Sequence, residues 1–330
     1  WDAYLTTGIE VSELDRTAKT RSAGVVGGLG FHPEGKDFRL AVYAQGEFVI
    51  ADRLTIIPGF RIDQVKRTPG PLVLGALPVE DTSFSPKIAA AYKVTPAFSV
   101  FGSWARTQRL PTLDELYSFS TTQSPALTLG KEEAETFEIG ASFDRSGVFG
   151  SDDSVQIKAT AFRNDLSNLV ARGQAPNPFF VNIGRARFEG IEIEGAYSAP
   201  WGYARLAFSH VRGTDRDFNY TISTTPADTL ALTLARSLPD RGLEFGWTVT
   251  AVDSISTSSR NATTGVITTT AFKGYVTNDL FVSWKPQSGA LEGADIRFGI
   301  DNVFDTDFRN NLAQENGKGR NIKLTLTRSF

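Results

Sequence analysis

Stretches of about ten residues that alternate apolar and polar side chains recur from one end of the chain to the other. Successive side chains of a β-strand point to opposite faces of the sheet, so each stretch predicts a strand with one apolar and one polar face. By this criterion we predict about fourteen strands and almost no helix, the best short helical candidate being 112–119. The clearest strands are LTIIPGFRID at 54–63, TFEIGASFD at 136–144, TLALTLA at 229–235, LEFGWTVTAV at 243–252 and ADIRFGID at 294–301.

The connections between these stretches alternate strictly between short and long. In an up-and-down sheet, odd and even connections lie at opposite ends, so this alternation places all the large loops at one end. Outer-membrane barrels have this asymmetry, whereas a soluble sheet has no reason for it. The predicted short connections are 50–53, 95–97, 146–153, 199–202, 237–242 and 286–293, and the long ones are 13–37, 67–83, 107–131, 167–185, 213–227, 254–274 and 305–319.

The polar faces of the predicted strands carry charged residues at mid-strand positions, among them Arg61, Asp63 and Glu138. Such charges fit a water-filled interior and a lipid-facing exterior better than they fit the dry core of a soluble sandwich. Aromatic residues such as Trp104 and Trp201 gather near strand ends, where the aromatic girdles of a membrane barrel lie. We therefore predict an all-β fold, a transmembrane antiparallel β-barrel.

Composition excludes several other classes of protein. No run of 18 or more apolar residues occurs, so the sequence predicts no helical membrane span. The absence of Cys excludes disulfides and thiolate metal sites, and the two histidines do not form a zinc-type cluster, so we expect no metal site. A net charge of −3 gives no reason to expect nucleic acid as a partner.

Four longer stretches carry a family resemblance: AVYAQGEFVIADRLTIIPGFRID at 41–63, SWARTQRLPTLDELY at 103–117, VNIGRARFEGIEIEGAY at 181–197 and GIDNVFDTDF at 299–308. In this order, and with Phe330 at the end, they resemble the C-terminal barrel region of TonB-dependent outer-membrane receptors. That family has a barrel of twenty-two strands filled by an N-terminal plug. The resemblance implies that residues 1–330 are the C-terminal portion of such a barrel, without the plug and the first strands. We interpret Phe330 as the barrel-assembly signal that ends the closing strand at the short-turn side.

The resemblance also implies a function. The protein would be a receptor in the bacterial outer membrane, not an enzyme, with no cofactor of its own. Its outer loops would capture a ligand, and the TonB complex, contacted through the absent N-terminal region, would drive uptake. Haem, free or from a haemoprotein, is the preferred ligand because RLPTLDELY at 109–117 resembles a segment of haem receptors. A ferric siderophore or cobalamin is the alternative ligand, and outer-membrane lipid and lipopolysaccharide are further expected partners.

In haem receptors, the loop that the segment 107–131 resembles carries an axial histidine. This chain has no histidine there, so Tyr117 is a candidate oxygen ligand in its place. The chain has two histidines, His32 in the first long loop and His210 near the outer end of a strand. Both are candidate haem or metal contacts, and an ordinary interfacial side chain is the alternative interpretation of His210.

Three basic residues, Arg106, Arg109 and Lys131, lie near the predicted outer ends of their strands. Cations there would attract the carboxylates of ferric chelates or the propionates of haem. Solvated loop charge, or contact with lipopolysaccharide phosphates, is the alternative interpretation of each.

Two other classes of function stay open at the level of the sequence. A passive outer-membrane channel is the interpretation that applies if the fourteen strands form the whole barrel. An outer-membrane enzyme is the other, and the adjacent Ser209 and His210 argue against it, because adjacent strand residues point to opposite faces and cannot form a Ser-His dyad.

Overall fold

A computed structural model describes residues 1–261 and 264–328. Fourteen strands form one sheet, and two further strand pairs form separate hairpins, β2–β3 and β14–β15. This confirms the predicted all-β fold and the predicted number of strands. In chain order the strands are β1 (Asp2–Arg16), β2 (Lys19–Ser22), β3 (Val25–Gly28), β4 (Gly35–Ile50), β5 (Leu54–Pro69), β6 (Val79–Lys93), β7 (Phe98–Arg109), β8 (Glu132–Ser146), β9 (Ser154–Arg172), β10 (Phe180–Ala199), β11 (Gly202–Asp215), β12 (Thr229–Leu238), β13 (Leu243–Val252), β14 (Ile255–Arg260), β15 (Ile267–Phe272), β16 (Tyr275–Trp284), β17 (Ala294–Asp301) and β18 (Asn321–Arg328).

The large sheet is antiparallel throughout and follows the chain from β1 to β18, leaving out the two hairpins. Its end strands, β1 and β18, do not pair with each other in the described part of the chain. Both are exposed along nearly their whole length, and Leu5 and Ile9 of β1 are 75% and 74% exposed. The described residues therefore form an open sheet with two edges that further strands can extend. The predicted closing residue, Phe330, lies outside the described residues.

The connections alternate between the two ends of the sheet as predicted, but several are shorter than predicted. The predicted loop 167–185 is mostly strand, because β9 continues to Arg172 and β10 begins at Phe180. The two strands pair there through residues such as Leu169 and Ile183, but apolar and polar residues no longer alternate in this part of the sequence, so the alternating pattern ends before the strands do. The predicted loop 13–37 likewise contains the β2–β3 hairpin. One end of the sheet carries 51–53, 94–97, 147–153, 200–201, 239–242 and 285–293, and the other end, which we call the mouth, carries 17–34, 70–78, 110–131, 173–179, 216–228, 253–274 and 302–320.

The register sorts the side chains of the large sheet onto two faces. Val42, Ile62 and Phe84 are cross-strand neighbours on what we call the apolar face, and they are 43%, 39% and 49% exposed. Tyr43 and Arg61 are cross-strand neighbours on the opposite, polar face. Because large apolar side chains remain exposed on the apolar face, this sheet is not one layer of a soluble sandwich, and that face suits contact with lipid, as predicted. In residues 1–261 and 264–328, no helix is long and apolar enough to cross a bilayer.

A short helix, α1 (Leu113–Tyr117), and a 3₁₀ turn (Pro239–Arg241) are the helical elements of the described residues. The helix lies within the predicted helical run 112–119 and packs against β4 and β5 at the mouth. It contributes Leu113, Leu116 and Tyr117 to a buried cluster that Val73 completes. In the described residues this cluster joins four buried apolar side chains, whereas many large apolar side chains of the sheet are exposed.

Candidate ligand-binding site at the mouth

The helix α1 begins at a capping box. Thr112 Oγ1 accepts a hydrogen bond from the backbone N–H of Glu115 at 3.3 Å, and the Glu115 carboxylate accepts one from the backbone N–H of Thr112 at 2.7 Å. These bonds satisfy backbone N–H groups that have no partner within the helix. The sequence TLDELY then places Leu113, Leu116 and Tyr117 on the buried side of the helix. A five-residue helix is held here by its cap and its packing, since a helix of this length is not stable alone.

Tyr117 is fully buried, at 0% exposure. Its hydroxyl oxygen accepts a hydrogen bond from the backbone N–H of Val79 at 3.1 Å. The one proton of the hydroxyl is shared between two carbonyl oxygens, that of Arg67 at 2.8 Å and that of Leu77 at 3.0 Å. Burial raises the pKa of Tyr117 above its ordinary value. Its oxygen is therefore a neutral hydrogen-bonding group inside the fold, and a ligand cannot reach it unless α1 moves. The structure gives Tyr117 the role of an anchor instead of the predicted oxygen ligand.

Arg109 ties α1 to the sheet. Its guanidinium donates two hydrogen bonds to Glu115, at 2.8 and 2.9 Å, and a further short one to Glu132 at the start of β8. Under the helix, Arg67 is 4% exposed and its Nε donates to Asp37 at 2.9 Å. Bidentate and charge-assisted hydrogen bonds of this kind fix geometry well. The structure thus directs Arg109 to two carboxylates of the fold, and not toward a ligand.

The other two predicted cations also have partners within the fold. Arg106 is a cross-strand neighbour of Glu135, on the apolar face, and it donates two hydrogen bonds to Glu133 at 2.8 and 2.9 Å. Lys131 Nζ donates to the carbonyl oxygen of Thr82 at 2.6 Å. The structure does not bring either side chain together with α1.

His210 lies on the apolar face, where its cross-strand neighbour is Ile191. Its Nδ1 is 2.6 Å from Asp228 Oδ2. The helix α1 lies over the opposite, polar face, because its Asp114 bonds Arg16 of that face at 2.6 Å. The two histidines are therefore not brought together, and the interfacial interpretation of His210 stays a prediction.

The segment that carries His32 is held against α1 by backbone-directed hydrogen bonds. The backbone N–H of Phe119 donates to the Gly30 carbonyl at 2.8 Å, and Ser118 Oγ donates to the Phe31 carbonyl at 3.1 Å. Arg16 donates to the Pro33 carbonyl at 2.5 and 3.1 Å. Loops are ordinarily the mobile parts of a protein, but these bonds give this segment a defined position on the folded helix.

His32 itself is exposed at the surface of this assembly. Its side chain is 59% exposed, and its Nδ1 is 3.5 Å from Asp114 Oδ1. The same carboxylate accepts hydrogen bonds from Arg16 at 2.6 and 2.9 Å, which hold it in place. Within the described residues Nε2 has no hydrogen-bond partner. A carboxylate near one ring nitrogen orients an imidazole and leaves the other nitrogen available to a metal ion.

Exposed apolar side chains occur in this segment, in the hairpin β2–β3 and in the connection 70–78, and no alternating pattern predicts them. The hairpin β2–β3 touches the connection 70–78, since a Cβ on Gly28 would lie 1.8 Å from Leu72 Cδ1. The Phe31 ring packs edge-on against His32, with 5.1 Å between ring centroids. The available signal was the run PLVLGAL at 71–77, which is apolar although it lies in a loop. The exposed set, which we call the apolar shelf, is Val25 (71%), Val26 (55%), Phe31 (51%), Leu74 (91%) and Leu77 (76%).

The family of the chain follows from a comparison with known families. The model of the family described as TonB dependent receptor-like, beta-barrel, matches residues 3–303, from β1 to β17. The chain belongs to this family. Receptors of this family are proteins of the outer membrane, so the chain is an outer-membrane protein, as predicted.

Named relatives agree with the family. A "Hemin receptor" of Yersinia enterocolitica is 26% identical over 294 residues, which are 81% of this chain and 41% of that receptor. A "TonB-dependent heme receptor A" of Haemophilus influenzae is 25% identical over 272 residues, 72% of this chain and 36% of the relative. The chain therefore spans less than half the length of these relatives.

Solved TonB-dependent receptors share the fold. The FrpB iron transporter of Neisseria meningitidis superposes with a TM-score of 0.71 at 18% sequence identity, over 89% of this chain and 45% of that structure. At this level of identity the similarity shows the fold alone, and it shows that the open sheet matches part of a larger TonB-dependent receptor.

Proposed function

We propose that the chain is part of an outer-membrane receptor that captures haem at the mouth for TonB-driven uptake. The observation that carries this is the exposed His32 imidazole beside the apolar shelf. Haem iron binds an imidazole nitrogen, and the porphyrin has apolar faces that bury against apolar side chains. His32 Nε2 supplies the nitrogen, and the shelf supplies the apolar surface.

The hairpin β2–β3 adds charge of the sign that haem propionates require. Lys19 and Arg21 of β2 are exposed and make no ion pair within the described residues. A guanidinium or ammonium group binds a carboxylate through charge-assisted hydrogen bonds. The names of the two relatives, a hemin receptor and a heme receptor, support haem over a ferric siderophore or cobalamin.

Asp114 has a positioning role in this proposal. Held by Arg16, its carboxylate faces Nδ1 of His32 at 3.5 Å, close enough to favour the tautomer that leaves Nε2 without a proton. Asp114→Asn is therefore expected to weaken haem binding less than the loss of the imidazole does.

The test is a spectroscopic titration of the full-length receptor in detergent with haem. Ligation by His32 predicts a Soret band shift that is lost in His32→Ala, together with at least about a tenfold loss of affinity, or 1.4 kcal/mol. His210→Ala is the matched control, because it removes the other histidine, which lies on the apolar face. Added imidazole is expected to restore the ligated spectrum of His32→Ala.

Three outcomes contradict this proposal. A full-length receptor that binds a ferric siderophore and not haem establishes the alternative ligand. Identical spectra and affinities for wild type, His32→Ala and His210→Ala remove His32 from the site. Haem permeation that does not require TonB supports the passive channel.

The proposal extends to the parts of the receptor outside this chain. We propose that further strands pair with β1 and β18 to close a larger barrel, of which these fourteen are the C-terminal portion. The support is the two open edges of the sheet, together with the partial coverage of the relatives. In this proposal the contact with TonB lies in the N-terminal region of the receptor, and the apolar face contacts outer-membrane lipid.

A further inference from the structure

The hairpin β14–β15 lies at the mouth, outside the large sheet. One of its two outer edges is covered, because the backbone N–H of Ser258 on β14 donates a hydrogen bond to the carbonyl oxygen of Thr221 at 2.7 Å. The outer edge of β15 has no backbone hydrogen bond to any other residue that the structure describes. The strand β15 is therefore an open edge strand at the mouth.

The bond to Thr221 also fixes which backbone groups of β15 are open. In an antiparallel pair, residues that exchange two hydrogen bonds alternate with residues whose backbone groups point away from each other. Ser258 points its N–H away from β15, so the opposite residue, Thr269, points its N–H and C=O outward as well. The hydroxyl oxygens of the two residues are 2.8 Å apart, which agrees with the short side-chain separation of such pairs. By the same alternation, Ile267 and Ala271 have outward backbone groups too.

The strand β15 lacks the features that usually protect an edge strand. Natural edge strands carry charged side chains, proline or a bulge, which prevent another strand from pairing with them. The sequence ITTTAF at 267–272 has no charge and no proline, and it pairs with β14 in an unbroken register. Its first four residues are β-branched and exposed. Such an edge can accept a further strand from another polypeptide.

The charges around β15 indicate which kind of polypeptide fits. The range 254–275 contains no Asp or Glu. Arg260 lies opposite Ile267 at one end of the hairpin, and Lys273 follows β15 at the other end. Neither side chain forms an ion pair in the part of the chain that the structure describes. Pairing between two copies of β15 would bring these cations together, whereas an acidic strand would place carboxylates beside them.

We propose that β15 binds an extended acidic segment of a protein outside the cell, which joins the hairpin as its third strand. The outward groups of Ile267, Thr269 and Ala271 would pair with the backbone of that segment. Arg260 and Lys273 would select carboxylates near its two ends. This interaction goes beyond ligand capture at His32, and it is independent of which small ligand the receptor takes up.

The test uses a synthetic peptide that alternates threonine and valine between paired glutamates. Fluorescence anisotropy of the labelled peptide measures its affinity for the full-length receptor in detergent. The variant Thr269→Pro removes an outward N–H and leaves the hydrogen bonds between β14 and β15 in place. We expect it to lose at least about a tenfold factor in peptide affinity. Thr269→Ala is the matched control, because it removes the same hydroxyl, keeps the N–H and should bind the peptide as the wild type does.

Amide hydrogen exchange, resolved to single residues, shows whether the hairpin persists in these variants. The inward amides of Thr268 and Thr270 should stay protected in all three proteins. In the wild type, the peptide should slow exchange at the outward amides of Ile267, Thr269 and Ala271. Protection of these outward amides before the peptide is added would overturn the inference, because a strand of the receptor itself would then cover the edge.

The charge variant Arg260→Gln/Lys273→Gln tests the preference for an acidic partner and leaves the backbone of β15 unchanged. It should bind the acidic peptide about fivefold more weakly and with less dependence on salt. A peptide with lysine in place of glutamate should bind the wild type weakly. Equal affinity of the wild type for the acidic and the basic peptide would overturn the assignment of an acidic partner.

Two further results would overturn the inference as a whole. One is the absence of acidic-peptide binding by the wild type, and the other is equal affinity of Thr269→Pro and Thr269→Ala for that peptide. The haem titration of Thr269→Pro should match that of the wild type, which separates a failure of this inference from a failure of the proposed function.

Discussion

Two neighbouring regions of the mouth differ in how they use their apolar residues. The helix α1 buries Leu116 and Tyr117 to 1% and 0% exposure, whereas the apolar shelf leaves Leu74 and Leu77 91% and 76% exposed. Hydrogen bonds join the two regions through the segment 29–34, so a compact platform carries an exposed surface.

The residues that match the family pattern differ from those that keep exposed apolar area and an available ring nitrogen. The family-like run TLDELY at 112–117 builds the platform, and its polar atoms are used within the fold. The shelf and His32 belong to connections with no comparable pattern, and they keep apolar area and a ring nitrogen available. The run that resembles the family is therefore used to build the fold, and in our proposal the residues that contact the ligand lie in the connections next to it.

The same leucine-to-alanine change in the two regions gives the largest expected difference. Leu116→Ala leaves a cavity in the buried cluster and should destabilise α1 by about 3 kcal/mol, within the usual range for buried leucines. Leu74→Ala removes an exposed side chain and should change stability by less than about 0.5 kcal/mol. Amide hydrogen exchange of the full-length receptor, read at α1, measures both variants.

For haem binding we expect the opposite order of effects from these two variants. Leu74→Ala should weaken haem binding, because it removes part of the shelf, and Leu116→Ala should act on haem only as far as the platform opens. If Leu116→Ala leaves exchange at α1 unchanged, the cluster does not hold the helix, and the comparison between the regions fails.

Ion pairs give the second comparison. Arg67 is 4% exposed beneath α1, so Asp37→Ala leaves a buried guanidinium without its carboxylate. Breaking a fully buried pair costs about 3–5 kcal/mol, and the partial exposure of Asp37 reduces the expected loss to about 2 kcal/mol. The control Glu133→Ala breaks the exposed pair with Arg106 and should cost less than about 1 kcal/mol. Thermal unfolding in detergent compares the stability of the two variants. Equal losses of stability would mean that burial under α1 does not strengthen the ion pair between Arg67 and Asp37.

The sheet could be predicted from the sequence because its determinants are local. Alternation over about ten residues fixes both faces of a strand, and the order of short and long connections fixes the topology. The sequence does not predict the extension of β9 and β10 toward the mouth, because backbone pairing continues through residues such as Leu169 and Ile183, where apolar and polar residues no longer alternate.

The candidate site could be predicted only in part, because its contacts are distant in sequence. The sequence predicts Tyr117 as a site residue, but the carbonyl oxygens that accept from its hydroxyl, those of Arg67 and Leu77, are 50 and 40 residues away. The sequence predicts His32 as a candidate ligand because it is one of two histidines, but its neighbour Asp114 lies on α1, far along the chain. A local sequence pattern cannot predict contacts between residues that lie this far apart in the chain.

The smallest expected effect concerns the cap of α1. Thr112→Ala removes the oxygen that accepts from the N–H of Glu115, and loss of such an N-cap costs about 1 kcal/mol. Amides of α1 should then exchange roughly fivefold faster, since 1.4 kcal/mol corresponds to a factor of ten. Thr122→Ala, in the same connection, removes a hydroxyl that contacts only the exposed Ser120, and it should leave exchange at α1 unchanged. Equal exchange rates in the two variants would show that packing of Leu116 and Tyr117 holds the helix without help from its cap, which would widen the contrast between the platform and the shelf.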